Sequence, residues 1–195
     1  MRVIAGQLGG RRLRAPRGRV TRPTSDRVKE AVFALLGDVQ GASVLDLFAG
    51  AGGLGIEALS RGARRATFVE RDTAAVRVLR QNLESLGLDA EVAEVRRGDV
   101  LAALRTARAG RETYDLVLID PPYSAGGSDW EQELSAQLPA LLEPQARVVV
   151  ESDRRRPLRL HMQLERERVY GDTSITIHRH DERSREIDSG VPGVV

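Results

Sequence analysis

An α/β fold on an open, mostly parallel sheet is predicted, and three features of the sequence predict it. Short apolar runs alternate with helical segments from residue 43 onward. A glycine-punctuated turn stands between the first run and its helix. The last two runs, near 161–169 and 173–179, have no helical segment between them. Alternation implies parallel strands, because a parallel neighbour needs a crossover long enough to hold a helix. Runs joined directly, here through Tyr170-Gly171-Asp172, pair antiparallel instead. At 195 residues and 41% hydrophobic, the chain is one ordinary domain with enough apolar surface for a core.

At the start of the chain, Val3, Ile4 and Leu13 flank Gly9-Gly10, the pattern of a β-hairpin. Residues 1–23 form a basic arm: Arg2, Arg11, Arg12, Arg14, Arg17, Arg19 and Arg22 stand there without one acid. The net charge is only +2, so a basic end is attached to a mildly acidic body, which points to a polyanionic partner. The body is expected over 24–180. Thr24 or Ser25 caps a helix to about Leu36, with Val28, Ala31, Val32 and Leu35 as its apolar stripe. Strands follow at 43–48, 65–70, 91–96, 114–119 and 146–151, with helices at about 53–61, 73–86, 99–108 and 128–142. The run at 114–119 (YDLVLI) is apolar enough to be buried on both faces. Residues 181–195, charged and then Gly- and Pro-containing, read as a disordered tail.

The glycine turn lies in SVLDLFAGAGGLGIEALSRG, residues 43–62. Gly50, Gly52 and Gly55 satisfy GxGxxG, which admits NAD or FAD, and their missing Cβ atoms let a ligand approach the backbone. Asp46 precedes the glycines, and Glu70 closes the next strand. A carboxylate beside the turn would repel a pyrophosphate but suits a ligand carrying an ammonium and a sulfonium, as S-adenosylmethionine (SAM) does. Glu70 at a strand tip can hold two ribose hydroxyls, a role common to NAD and SAM proteins. The balance favours SAM.

Asp120-Pro121-Pro122-Tyr123 ends the strand at 114–119. Ligands of open α/β sheets bind outside the carboxyl ends of the strands, so this tetrapeptide falls beside the glycine turn. A bland Pro-Pro strand stop is the competing reading. The functional one is a site for an amine on an aromatic ring. Asp120 and the Pro121 carbonyl each accept an N–H, and Tyr123 stacks on the ring. Both acceptors favour the positive charge that grows on nitrogen as it attacks, so no strong base is required.

Cysteine is absent, which excludes disulfides, thiolate metal sites and a cysteine nucleophile and fits a cytoplasmic protein. His161, His178 and His180 read as surface residues, because no third metal ligand is suitably spaced. No stretch of 18 apolar residues and no secretory signal are present.

The segments RVIAGQLGGRRL, TRPTSDRVKEAVFALL, DLFAGAGGLGIEALSRGA, FVERD, GDV and DPPY occur in that order between residue 2 and about 180. On these the chain resembles the class I SAM-dependent methyltransferases, and specifically the RsmD family, which methylates the N2 amine of a guanine in small-subunit ribosomal RNA. The resemblance implies a Rossmann-like, seven-stranded, mostly parallel sheet with its last strand antiparallel, and a basic N-terminal β-hairpin that meets RNA. It implies that Thr24 to Arg27 border the methionine end of SAM and that Asp99 contacts the adenine amine, although Asp99 also reads as a helix N-cap. The expected cofactor set is then Thr24, Arg27, Asp46, Phe48, Ala49, Gly50, Gly52, Glu70, Arg71, Asp99, Val100 and Asp120. Arg154, Arg155 and Arg156, after the fifth strand, join the arm arginines as expected RNA contacts. A monomer without metal, acting on ribosomal RNA or the assembling small subunit, is the resulting expectation. DPPY is shared with enzymes acting on DNA adenine, cytosine or protein glutamine, so those substrates stay open. So does an RNA-binding or chaperone module with a relic SAM site.

Overall fold

The computed structural model describes residues 1–16, 26–122 and 128–181. Arg17, Arg19, Arg22, Thr24, Tyr123 and the tail beyond Asp181 lie outside the described residues. The body runs α1 (Asp26–Leu36), β1 (Ser43–Leu47), α2 (Gly53–Ser60), β2 (Arg65–Glu70), α3 (Thr73–Leu86), β3 (Ala93–Arg97) and α4 (Val100–Ala109). It continues through β4 (Tyr114–Ile119), α5 (Ser128–Gln137), β5 (Leu142–Asp153), β6 (Gln163–Tyr170) and β7 (Thr173–Arg179).

The seven strands form one sheet in the order β3-β2-β1-β4-β5-β7-β6, with β7 antiparallel to both β5 and β6. β4 is covered on both faces, as its unbroken apolar run requires. Leu116 and Leu118 join the core beneath α1, α2 and α3, while Val117 and Ile119 join the core beneath α4 and α5. The order reverses at β1, whose neighbours are β2 and β4, so a crevice opens above its carboxyl end. Helix signals agree with the sequence: Asp72 and Asp99 cap α3 and α4 by accepting from Ala75 N and Ala102 N, and Gly87 stops α3 in a left-handed conformation.

Three boundaries differ from expectation. The helix expected over 128–142 ends at Gln137, and Pro139 lies in a tight 3-10 turn, Leu138–Leu141. β5 starts at Leu142, ahead of an irregularity containing Gln145 at φ 68°, and the third strand sits at Ala93–Arg97. The histidine reading is corrected as well: His178 and His180 are buried, at 4% exposure each. His178 lies 3.3 Å from the Met162 carbonyl and 3.2 Å from Thr176 Oγ1, and burial lowers its pKa.

The N-terminal segment forms a tight hairpin through Val3 N–Arg11 O and Gly10 N–Val3 O, both 2.9 Å. It is sewn to the body by buried polar groups. Glu57, wholly buried in α2, accepts from Ile4 N (2.7 Å) and Ala5 N (3.1 Å). Ser60 binds Ala5 and Leu8, and Asn82 of α3 exchanges hydrogen bonds with the backbone of Arg14. Gly6, at φ 82°, passes so close to α2 that a Cβ there would overlap the Ser60 carbonyl. Lys29, the only lysine, is buried and donates to the Arg2 carbonyl, and burial lowers its pKa.

Candidate active site

β1 and β4 run parallel with Asp46 opposite Leu118 and Leu47 opposite Ile119. Asp120 therefore follows at the rung of Phe48, at the carboxyl edge of the sheet. β2 pairs β1 on the other side, with Leu47 opposite Val69, so Glu70 reaches the same edge. The three acids expected from the sequence thus meet around the glycine turn.

Their environments differ. Asp46 is 2% exposed, and its Oδ2 accepts from Gly55 N at 2.9 Å. This contact needs a glycine: a Cβ on Gly55 would stand 2.9 Å from the same oxygen and 2.4 Å from the Phe68 ring. Burial pushes the Asp46 carboxyl up to about 8, against the pull of the Gly55 bond and with further repulsion from Asp120 and Glu70. Glu70 is half-buried and bridges the site, accepting from Gly50 N (2.9 Å) and Asp72 N (2.7 Å). It ties the tip of β2 to the glycine turn. Asp120 and Pro121 are half-exposed and Pro122 is exposed, so the strand end is open to a ligand.

Between Asp46 and Gly50 the backbone is strained. Phe48 sits at φ 62°, a conformation costing a bulky residue about 1–3 kcal/mol. Its ring meets Trp130 of α5 edge-to-face, with centroids 5.2 Å apart and planes at 71°. Sequence reasoning missed Trp130. The available signal was a lone tryptophan in the helix after DPPY. It missed Glu57 too, an acid inside the apolar run GLGIEALS.

The remaining expected residues fall as follows. Ala49 is buried and its N–H donates to Val69 O at 3.0 Å; Gly52 turns into α2 at φ 87°. Arg71 and Asp99 are exposed beyond the ends of β2 and β3, and Val100 is buried under the Asp99 cap. Arg27 is exposed in the first turn of α1. That turn lies at the carboxyl edge, because Arg147 of β5 binds the other end of the helix at the Leu36 and Asp38 carbonyls. Arg154, Arg155 and Arg156 are exposed just beyond β5, beside the β6–β7 turn through Arg154 N–Asp172 O (2.8 Å). Of the described arm arginines, Arg2 pairs with Asp26 in the first turn of α1 (3.1 Å), while Arg11 and Arg14 reach Ser85 O and Gln81 on α3. Arg12 is exposed.

The residues present fit SAM. A Cβ at Gly50 would meet nothing closer than the Phe48 carbonyl at 4.0 Å, so the turn leaves open space. Glu70 stands beside it, and three acids gather there, whose ionised forms a cationic ligand favours. Fold and site together define a class I SAM-dependent methyltransferase. The profile of the family described as conserved hypothetical protein 95 matches residues 1–179, and the chain belongs to that family, the RsmD family. The chain is 42% identical over 189 residues to YlbH of Bacillus subtilis (strain 168), spanning 92% of this chain and 98% of that one. It is 36% identical over 159 residues to the ribosomal RNA small subunit methyltransferase D of Haemophilus influenzae, 81% of each chain. A solved structure of a hypothetical protein from Thermus thermophilus superposes with a TM-score of 0.78 at 31% identity, covering 91% of this chain and 98% of that one. Among the described residues, no helix is long and apolar enough to cross a membrane.

Proposed function

We propose that this enzyme transfers the methyl group of SAM to the exocyclic N2 amine of a guanine in small-subunit ribosomal RNA, acting as a cytoplasmic monomer without metal. The carrying observation is the convergence of Asp120 with Glu70 and the glycine turn at one sheet edge. The cofactor supplies a methyl already activated by its sulfonium. Glu70 holds ribose hydroxyls, Asp99 the adenine amine, and Asp46 supports the turn from beneath through Gly55 N. Asp120 and the Pro121 carbonyl each accept one N–H of the target amine, turning its lone pair toward the methyl. As nitrogen becomes cationic, both acceptors stabilise it, and the proton leaves to Asp120 or water.

The RNA reading is supported by the basic arm and by the name of the Haemophilus influenzae relative. Incubating the protein with labelled SAM and, separately, unmodified small subunits, free small-subunit RNA and duplex DNA tests it. Label at a guanine N2 of the RNA is expected; label only in DNA, or none, overturns it. The arginines should act on RNA affinity alone. Replacing Arg11, Arg12 and Arg14 by Gln should weaken RNA binding and reduce its logarithmic salt slope by about 0.7–0.9 for each phosphate no longer neutralised. SAM affinity should stay unchanged, and an unaltered slope would make these arginines bystanders.

A further inference from the structure

Phe48 is one of three non-glycine residues at positive φ among the described residues. The other two, Arg111 and Gln145, are exposed. Phe48 instead stands half-buried at a strand tip, flanked by backbone that cannot relax: Ala49 N is bound to Val69 O, and Gly50 N to Glu70. Strain of this kind persists where the surroundings enforce it and gathers at ligand-binding positions. Trp130 is the aromatic neighbour, its ring set edge-to-face against Phe48 at 5.2 Å.

Neither ring is placed as core filler. Phe33 and Phe68 are 1% and 0% exposed, whereas Phe48 and Trp130 are only half-buried and pack against the edge of the core below α4 and α5. Their position along the sheet decides which part of the chemistry they serve. Glu70 and Asp99, the nucleoside-holding acids in the proposed reading, lie at the ends of β2 and β3, to one side of β1. α5 follows β4, on the other side, and from there Trp130 meets Phe48, whose rung carries Glu70 on one side and Asp120 on the other. The aromatic pair therefore stands on the amine side of the crevice.

We infer that Phe48 and Trp130 form an aromatic corner that holds the planar ring of the methyl-accepting base beside Asp120, with Trp130 as the positioning residue that fixes Phe48. The inference rests on the amine-methylation reading above and deepens it. Asp120 and the Pro121 carbonyl can grip any primary amine or amide. A corner of two aromatic rings adds the demand for a flat π-system, so a nucleobase amine is accepted and an aliphatic amide is not. Orientation follows too, since stacking fixes the plane in which the amine's two N–H bonds must lie.

Trp130 is the only tryptophan of the chain, so intrinsic fluorescence reports from this one position. Titrating the full-length protein, with S-adenosylhomocysteine present, with guanosine monophosphate or a guanine-containing small-subunit RNA fragment should quench or shift the emission. S-adenosylhomocysteine alone should change it much less. Trp130→Leu should raise KM for RNA and lower kcat by a combined factor of about 10 to 100, with KM for SAM nearly unchanged. Trp130→Phe, which keeps an aromatic edge, should restore most of the loss, and thermal melts verify folding of both. A Leu variant with wild-type KM for RNA and wild-type kcat, or an emission change produced fully by S-adenosylhomocysteine alone, overturns the corner while leaving the methyltransferase reading intact. A wild-type chain that transfers no methyl to RNA overturns both.

Discussion

Asp46 and Asp120 are carboxylates on neighbouring parallel strands, and the register sets Asp120 two residues nearer the carboxyl edge than Asp46. That is about 6–7 Å along the strand. The short step changes what each can do. Asp46 is 2% exposed, bonded to Gly55 N, and pushed up to about 8 by burial and by its two acidic neighbours. Asp120 is half-exposed at the mouth. The first is placed to shape the glycine turn from beneath. The second is placed to touch a ligand. Identical chemistry at a strand end thus divides into support and contact by depth alone.

The largest expected effect that sharpens this contrast is on Asp120. Asp120→Asn keeps size and can still accept one N–H, but it lacks the charge facing a nitrogen that becomes cationic. Single-turnover methylation should slow by about 10²- to 10³-fold, the cost of losing one electrostatic stabiliser. SAM affinity should change little, and thermal stability should stay within about 0.5 kcal/mol, as for other surface changes. Asp120→Ala should be slower still. If Asn supports near-normal turnover, Asp120 only ends a strand, and the contrast collapses.

Asp46 should show the opposite profile. Asp46→Ala strands the Gly55 N–H in a buried position, costing about 1–3 kcal/mol of stability in denaturant titration. Asp46→Asn should be milder, since an amide oxygen can take the same bond, and it should alter the pH dependence. The folded-state pKa is raised from 3.8 to about 8, so between those values the folded protein holds a proton that the unfolded chain has released. The stabilising contribution is complete below about pH 4 and is lost as pH rises through about 8. The wild type should therefore lose stability over that window more steeply than the Asn variant. Parallel slopes would show that Asp46 is ionised in the fold.

The sequence made the contacting acid easier to find than the supporting frame. Alternating apolar runs place Asp120 and Glu70 at strand ends without any tertiary knowledge, since both close mainly apolar stretches. Depth was not legible: nothing in SVLDLF tells that Asp46 lies under the glycine turn, because burial depends on how α2 closes over it. The arm was legible as charge and as a hairpin, yet its anchorage was not. Glu57, Ser60 and Asn82 stand 52 to 68 residues from their arm partners, and long-range polar pairing leaves no periodic trace. That anchorage also bears on experiments: deleting residues 1–20 would strip Glu57 of its Ile4 and Ala5 N–H donors and leave it only Arg61, so arginine substitutions are the cleaner probe. Trp130 escaped for the same reason as Asp46, its meaning lying in contact with a strained residue on another element.

The smallest expected effect ties the two acids together through protons. A cationic ligand in the crevice favours ionised Asp46, so binding should draw its pKa down from about 8 and release part of a proton at pH 7. Calorimetry of SAM binding in phosphate and in Tris measures that release, because the buffers differ in ionisation heat. The ligand's own ammonium titrates in every experiment, so the informative quantity is the difference between wild type and Asp46→Asn. The wild type should release more, and its affinity should climb relative to the Asn variant from about pH 6 to 8 and then level off. Asp120→Asn adds a directional check. Removing the charge that repels Asp46 lets that acid ionise earlier, so the levelling should move to lower pH even though the substituted residue lies at the mouth. Equal proton release in wild type and Asp46→Asn would show that the buried acid does not sense the ligand, and support from beneath would then be purely mechanical, through Gly55.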